Sequence, residues 1–164
     1  MEIMNRIDRF FRRKYTKCLL KTHEHIFLDQ SLELKYLFVR HKTSRVLIVV
    51  FSGMNPNRAA YNYIDVLNDS PHNRLYILDN IGDGRLGCFY LGTNAQNQVE
   101  NAVKTLLRKI QEDCNISQVI FCGSSKGGYA ALNFGLDYAN SVIIAGAPQY
   151  YLGYYLTQTS HPIF

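Results

Sequence analysis

The chain has 164 residues, of which 47% are apolar and 19% charged, and it carries a formal net charge of +5. This length fits one domain with a substantial core, and the composition argues against a disordered protein. We predict no membrane span, because no run of about 18 uncharged apolar residues occurs. The four cysteines lie far apart in no C-x-x-C pair, which argues against a zinc site or a disulfide framework and is typical of a reducing cytosol.

The N-terminal segment carries the whole excess of positive charge. Residues 1–21 contain seven Lys/Arg against Glu2 and Asp8, whereas the rest of the chain has eleven residues of each sign. The neutral body gives no reason to expect a nucleic acid partner. Apolar residues at spacings of three and four predict a basic amphipathic helix over residues 3–20. It could pack on its own or another domain, lie on an anionic membrane surface, or be a cleaved targeting peptide, which the acidic residues disfavour.

The remaining chain, residues 22–164, is predicted to form a single α/β domain. Two candidate strands, at 25–29 and 32–41, are followed by strands that alternate with helices. Nearly continuous apolar strands in such an alternation indicate a mainly parallel sheet covered on both faces, and the initial pair predicts an antiparallel edge. The later strands are placed at 46–51, 74–79, 118–122 and 141–145, and the helices at 59–68, 95–113 and 127–139.

A glycine-flanked serine follows the third of these later strands. In "FCGSSKGGYA" the pattern Gly-x-Ser-x-Gly fits one frame only, with Gly123 and Gly127 around Ser125. A frame centred on Ser124 would need glycine at positions 122 and 126. A serine raised above a strand end stands on a strained turn, where side chains two residues before and after it would clash. Ser125 is therefore the candidate nucleophile, and a plain or anion-binding glycine turn is the alternative.

A second glycine-rich segment does not predict a cofactor site. Residues 82–87 match G-x-G-x-x-G, but the sequence continues "CFYLGTN" instead of opening a helix, and no acidic residue stands about 20 positions on. A Walker A motif is absent as well. We predict no bound cofactor and no metal.

Four segments carry a resemblance to a known superfamily. "FSGMN", "LDNIGDGRLGCFYLGTN", "FCGSSKGGYAALNFGL" and "AGAPQYYLGYYL" together resemble the α/β-hydrolases. More narrowly they are similar to a bacterial branch associated with capsular polysaccharide biosynthesis, and to O-acetyltransferase components of accessory secretion systems. The resemblance covers roughly residues 34–156 and implies a three-layer α/β-hydrolase-like fold. It also implies a serine esterase or acyltransferase that acts on a sugar or an acylated glycan.

The resemblance also implies roles for residues beside the nucleophile. The backbone N–H groups of Lys126 and Met54 would hold the oxyanion, and Gly53 would permit close approach of substrate. Asn55 and Asp79 would bind substrate at strand C-terminal ends, where open α/β sheets hold their sites. Two alternatives stay open, in which Asn55 caps a turn and Asp79 ties down its own loop.

The catalytic base and acid are not evident. In α/β-hydrolases an Asp or Glu and then a His follow the serine, but only His161 lies downstream of Ser125, and the sole downstream acid, Asp137, falls in a predicted helix. His161 is the candidate base, with a surface role as the alternative. Three explanations remain open: the N-terminal part of a longer enzyme with a sheet incomplete at its C-terminus, an inactive descendant, or a site completed by an unorthodox base or another subunit.

The sequence thus favours a serine esterase or O-acyltransferase of capsular polysaccharide or surface glycan biosynthesis. The alternative is a catalytically inactive, hydrolase-like binding module of a polysaccharide or glycoprotein export assembly. In both cases we expect a cytoplasmic protein, with contact of residues 3–20 to the inner face of the membrane as an open question. The tyrosines after Pro148 could form a sugar-stacking lid, or belong to a core or an interface.

Overall fold

The computed structural model describes residues 14–55, 57–82, 87–93 and 96–158. Its centre is one six-stranded sheet with the order β1-β2-β4-β3-β5-β6. The strands are β1 (Glu24–Asp29), β2 (Leu32–Val39), β3 (Val46–Phe51), β4 (Asn73–Leu78), β5 (Gln118–Ser124) and β6 (Val142–Gly146). The helices are α1 (residues 14–23), α2 (Gln98–Cys114), α3 (Lys126–Gly135) and α4 (Leu152–Gln158).

The sheet has the mixed polarity that the sequence predicts. β1 pairs antiparallel with β2, and β2 pairs antiparallel with β4. The pairs β3–β4, β3–β5 and β5–β6 are parallel. The two central strands, β3 and β4, are buried almost throughout, which explains the apolar run of β3 and the apolar residues from Leu75 to Leu78 in β4. The prediction of a mainly parallel sheet with an antiparallel start is confirmed.

Helices and apolar side chains cover both faces of the sheet. On one face, α2 and α3 pack on a core in which Phe51 stacks between Phe121 and Phe134. On the other face, Leu19 of α1 and Ile64 belong to a second cluster on the same sheet. The result is the three-layer arrangement expected from the sequence.

The described part of the N-terminal helix packs on the domain. Leu19 is buried in the second cluster beside Val50 and Tyr76, whereas Lys14 and Lys17 are exposed. Residues 1–13, which hold most of the predicted amphipathic segment, lie outside the described residues. Among the helices of the described ranges, none is long and apolar enough to cross a membrane.

The helix predicted over residues 59–68 is wrong. This segment forms turns, with Tyr63 in the left-handed region at φ 60°. The left-handed conformation of Tyr63 interrupts a helix at this point, and the side chain of the preceding Asn62 is held by the Gly53 N–H at 2.7 Å. β-Branched and asparagine residues in the segment favour helices weakly, so tertiary contacts decide its conformation.

The parallel strands set the place of the candidate site. Because β3, β4, β5 and β6 run in one direction, their C-terminal ends meet at one edge of the sheet. The loops that follow them begin at Ser52, Asp79, Ser125 and Ala147. This edge therefore holds all the predicted site residues except His161, which lies outside the described residues.

Candidate functional site

Ser125 occupies a strained turn between β5 and α3. β5 ends at Ser124 and α3 begins at Lys126, and Ser125 between them has φ 54° and ψ −120°. A non-glycine residue rarely adopts these backbone angles, because they cost conformational free energy, so the surrounding structure must hold Ser125 in this conformation. The Ser125 N–H donates to the carbonyl of Gly146 at 2.9 Å, and its carbonyl accepts from the N–H of Tyr129 at 3.0 Å. The turn is thus fixed by the neighbouring strand β6 and by the helix that follows.

The two motif glycines are required by close backbone contacts. A Cβ added to Gly123 would overlap the carbonyl group of Gly127. A Cβ added to Gly127 would lie 2.5 Å from the carbonyl oxygen of Phe51 at the end of β3. Real Cβ atoms do not approach carbonyl oxygens so closely. The crowding that the sequence analysis infers from the glycine frame is therefore present around Ser125.

The hydroxyl of Ser125 contacts a residue that the sequence analysis did not single out. Gln149 Nε2 donates a hydrogen bond to Ser125 Oγ at 2.9 Å. The other amide atom, Gln149 Oε1, is buried and has no hydrogen-bond partner within the described part of the chain. Gln149 lies three residues beyond the end of β6, and the position of polar residues after strand ends is the signal that could have found it.

The loop after β3 lies beside the Ser125 turn. A Cβ on Gly53 would lie 3.4 Å from the carbonyl oxygen of Ser124, and the Gly53 N–H donates to Asn62 Oδ1 at 2.7 Å. The N–H of Met54 donates to no atom of the described residues. The structure therefore brings the "SGMN" segment to the N-terminus of α3, where Lys126 is the first residue. Asn62, which holds this loop, carried no signal in the sequence.

Asn55 has the contact expected of a turn cap. Its Oδ1 accepts a hydrogen bond from the N–H of Asn57 at 3.1 Å, two residues on. This pattern is an Asx turn, in which the side chain replaces a backbone carbonyl. The capping alternative thus accounts for this contact, and a role of Asn55 in substrate binding stays a prediction.

Asp79 is fully buried and holds its own loop. Its carboxylate accepts hydrogen bonds from the N–H of Cys88 at 3.0 Å and from the N–H of Tyr90 at 3.3 Å. A Cβ on Gly87 would overlap this carboxylate, so the loop passes directly over it. These contacts favour the alternative in which Asp79 ties down its loop, and contact with substrate stays a prediction.

The side chain of Lys126 is buried together with Asp79. Lys126 Nζ lies 3.0 Å from Asp79 Oδ2, and both side chains have no exposed surface. The ammonium also lies 5.6 Å from the centre of the Tyr90 ring. A buried lysine needs such a partner, because an isolated charge in the interior is costly.

The groups around Asp79 are kept protonated. Burial and the neighbouring Asp79 carboxylate raise the pKa of the Cys88 thiol to about 12. Burial, and again Asp79, raise the pKa of Tyr90 well above its ordinary value. Both side chains are therefore neutral near pH 7, and Cys88 is poorly suited to act as a nucleophile.

Similarities to solved structures agree with this architecture. No family model matches the chain, and no curated protein matches it in a sequence comparison. Over 85% of its length the chain is 27% identical to the capsule O-acetyltransferase of Neisseria meningitidis serogroup A, with a TM-score of 0.65; that structure, of a mutant, contains CoA. An α/β serine hydrolase homologue from Coxiella burnetii superposes over 86% of the chain at 13% identity and a TM-score of 0.53. The fold is α/β-hydrolase-like.

The same architecture occurs in a protein complex of another organism. The chain matches the Glycosylation Associate Protein (Gap123) complex from Streptococcus agalactiae at 22% identity and a TM-score of 0.67, over 85% of its own length. At 22% identity this match supports a similar fold and nothing further. The chain spans 57% to 62% of the capsule O-acetyltransferase chains.

No described histidine of this α/β-hydrolase-like fold is placed to serve as the base. His41 follows β2 and His72 precedes β4, so both lie at the edge of the sheet opposite Ser125. His23 and His25 lie at the start of β1, four strand spacings from β5, or about 19 Å.

The downstream acid is also engaged elsewhere. Asp137 lies beyond α3 and is 3.2 Å from Lys104 Nζ, with much of its side chain exposed. Within the described ranges there is no cluster of three or more His, Cys, Asp or Glu side chains that could hold a metal ion. His161 lies outside the described residues, and its role as the base stays a prediction. Among the residues that the structure describes, Ser125 thus has neither the base nor the acid of a triad.

Proposed function

We propose that this chain provides the nucleophile and oxyanion side of a serine O-acyltransferase or esterase site, whose substrate is a sugar or an acylated glycan. The observation that carries the proposal is Ser125 at φ 54° between β5 and α3, with Gly123 and Gly127 in backbone contact. α/β-Hydrolases present their nucleophilic serine on this kind of turn. The 27% identity to a capsule O-acetyltransferase supports the substrate class.

In the proposed reaction, Ser125 Oγ attacks the carbonyl carbon of an acyl ester or thioester. The N–H groups of Lys126 and Met54 hold the oxyanion that develops, and the helix N-terminus adds favourable potential. Collapse of the tetrahedral intermediate expels the alcohol or thiol and leaves an acyl-serine. Attack by water or a sugar hydroxyl then transfers the acyl group and regenerates Ser125.

A general base must take the proton of Ser125 as the bond forms. We place this base on a part of the protein outside the described residues, with His161 as the candidate, or on another subunit. The related acetyltransferase was solved with CoA, so an acyl-CoA thioester is the donor class to test first. The scheme needs no metal.

Active-site labelling tests the proposal. A fluorophosphonate probe phosphonylates an activated serine, with loss of fluoride. We expect labelling of the wild type and of Ser124→Ala, and none of Ser125→Ala. Ser124→Ala is a matched control, since it removes a hydroxyl from the adjacent residue. The labelling is done in a lysate of cells that express the protein naturally, so that any subunit that supplies the base is present. Labelling that survives in Ser125→Ala, or a folded wild type that does not react in this lysate, would contradict the proposal.

A second candidate is a non-catalytic module of a glycan or glycoprotein export assembly. Its support is an apolar surface beside the Ser125 turn, where Tyr63, Val66 and Ile144 are exposed and line a pocket of about 270 Å³. Large exposed apolar patches commonly mark interaction sites. Complementation of a deletion strain separates the candidates, because a module would restore surface glycan with Ser125→Ala as well as with the wild type.

We also propose a cytoplasmic location, with residues 3–20 in contact with anionic lipid. The exposed Lys14 and Lys17 at the start of the described helix support this contact. Co-sedimentation with phosphatidylglycerol vesicles, with phosphatidylcholine vesicles as the control, tests it. Equal recovery with both lipids would contradict an electrostatic contact.

A further inference from the structure

We propose that a buried polar network fixes the distance between the two oxyanion donors, so that the side chains of Asp79, Tyr90 and Lys126 are positioning residues. The network consists of these three side chains and Ser52. This inference rests on the proposed function, because it assigns the donors to the N–H groups of Lys126 and Met54.

One end of the network is attached to the Ser125 turn. Lys126 carries a proposed donor on its backbone, and its side chain reaches Asp79 Oδ2 at 3.0 Å and the Asp79 carbonyl oxygen at 3.4 Å. The Lys126 side chain is fully buried. A buried chain anchored at its far end limits rotation of the peptide that carries it. The first donor is therefore tied to Asp79.

The other end is attached to the loop that carries the second donor. Ser52 Oγ accepts a hydrogen bond from the N–H of Asp79 at 3.1 Å and lies 2.7 Å from the Tyr90 hydroxyl. The Ser52 N–H donates to the same hydroxyl at 2.6 Å. Ser52 stands two residues before Met54. The second donor is thus also tied to Asp79, directly through Ser52 and again through Tyr90.

The centre of the network cannot shift easily. The Asp79 carboxylate accepts two backbone N–H groups of the 87–90 loop, and Gly87 packs directly on it. Well-packed apolar residues often replace a buried ion pair without loss of stability. Stability alone therefore does not require charges here, whereas a linkage of two loops at fixed spacing does require directional contacts.

The experiment compares four variants with the wild type. Lys126→Met and Asp79→Asn each remove one charge, their combination removes both, and Tyr90→Phe cuts the link to Ser52 while keeping both charges. Lys104→Met is the matched control, because Lys104 is a partly exposed lysine paired with Glu100 at 2.7 Å. Three quantities are measured: the free energy of unfolding in urea, the maximal rate of fluorophosphonate labelling separately from probe affinity, and the amide NMR shifts of Met54 and Lys126.

We expect the single charge variants to lose stability and the double variant to recover much of it, because no charge is then left unpaired. The maximal labelling rate should remain about 10- to 100-fold low in the double variant, since a donor displaced by part of an ångström stabilises the oxyanion poorly. Tyr90→Phe should shift the Met54 amide resonance and slow labelling, while Lys104→Met should change neither.

A double variant that labels at the wild-type rate would overturn the inference and leave the network a purely structural role. If a single charge variant fails to fold, the double variant and Tyr90→Phe decide the question. If the folded wild type is not labelled even in the lysate, where any subunit that supplies the base is present, the proposed function fails. The amide shifts then still test the network, because the Met54 resonance must move in the double variant and stay in Lys104→Met.

Discussion

Gly127→Ala should both destabilise the fold and slow the reaction of Ser125 with a fluorophosphonate probe. The added methyl group would lie 2.5 Å from the carbonyl oxygen of Phe51 and 3.1 Å from its carbonyl carbon. Both neighbours are backbone atoms of β3, a central strand, so no flexible side chain can move away. Either α3 or the end of β3 must be displaced.

The magnitude follows from two opposing terms. Overpacking in a rigid environment costs about 1–3 kcal/mol, and the upper half applies here because backbone must move. Alanine in a helix is favoured over glycine by about 0.5–1 kcal/mol, which offsets part of this. We expect a net loss of about 2 kcal/mol in the free energy of unfolding, or about 4–8 °C in Tm for a chain of this size.

The assays are urea unfolding followed by circular dichroism and fluorophosphonate labelling of Ser125. Gly153→Ala is the control: Gly153 lies in α4, an added Cβ there meets nothing within 4 Å, and stability should stay level or rise slightly. Displacement of the turn by about 1 Å should slow labelling about 100-fold. A Gly127→Ala variant as stable and as reactive as the wild type would refute the steric argument for the motif.

Three further outcomes follow from the core and the buried thiol. Phe134→Ala removes the ring stacked 5.1 Å from Phe51 and should lower the free energy of unfolding in urea by about 3–5 kcal/mol. Leu136→Ala, at a side chain that is 76% exposed, should lower it little. Equal effects of the two substitutions would refute the burial assignment. With a disulfide reagent at pH 8, the exposed Cys18 should react at once and the buried Cys88 only on unfolding; prompt modification of Cys88 in folded protein would contradict its burial. The pKa of Cys88 in the folded protein, about 12, exceeds its ordinary value of 9.0, so the thiol loses its proton at lower pH in the unfolded chain. The free energy of unfolding should therefore stay constant below pH 8 and fall between pH 9 and 12, by up to about 4 kcal/mol from this group. The fall should be less steep in Cys88→Ala.

Much of the fold follows from local patterns in the sequence. Nearly continuous apolar runs predict β3 and β4, because a strand buried on both faces has apolar residues at most of its positions. The strands at 46–51 and 118–122 and the helix after Ser125 are found within a few residues of their predicted bounds. The prediction for the segment 59–68 fails because Tyr63 takes a left-handed conformation beside Asn62, whose side chain accepts a hydrogen bond from Gly53, and no local pattern indicates such a contact.

The candidate site is predicted only where one segment supplies it. Ser125 follows from the glycine frame, since the crowding involves residues two positions away in sequence. Gln149 was not predicted, because it lies 24 residues after Ser125 and reaches Ser125 Oγ from the end of another strand. Asn62 was not predicted for the same reason, because its loop bends back so that its side chain accepts a hydrogen bond from the Gly53 N–H.

The sequence by itself determined the serine that stands on the turn and the glycines that the turn requires, because these residues lie within two positions of one another. It also predicted parallel strands, because strands and helices alternate along the chain. The tertiary structure alone decided which polar groups are engaged inside. It pairs Lys126 with Asp79 across 47 positions and joins Asp79 to Ser52 across 27. Buried polar groups must find partners wherever the fold brings donors and acceptors together, and that meeting is a property of packing and not of sequence neighbourhood.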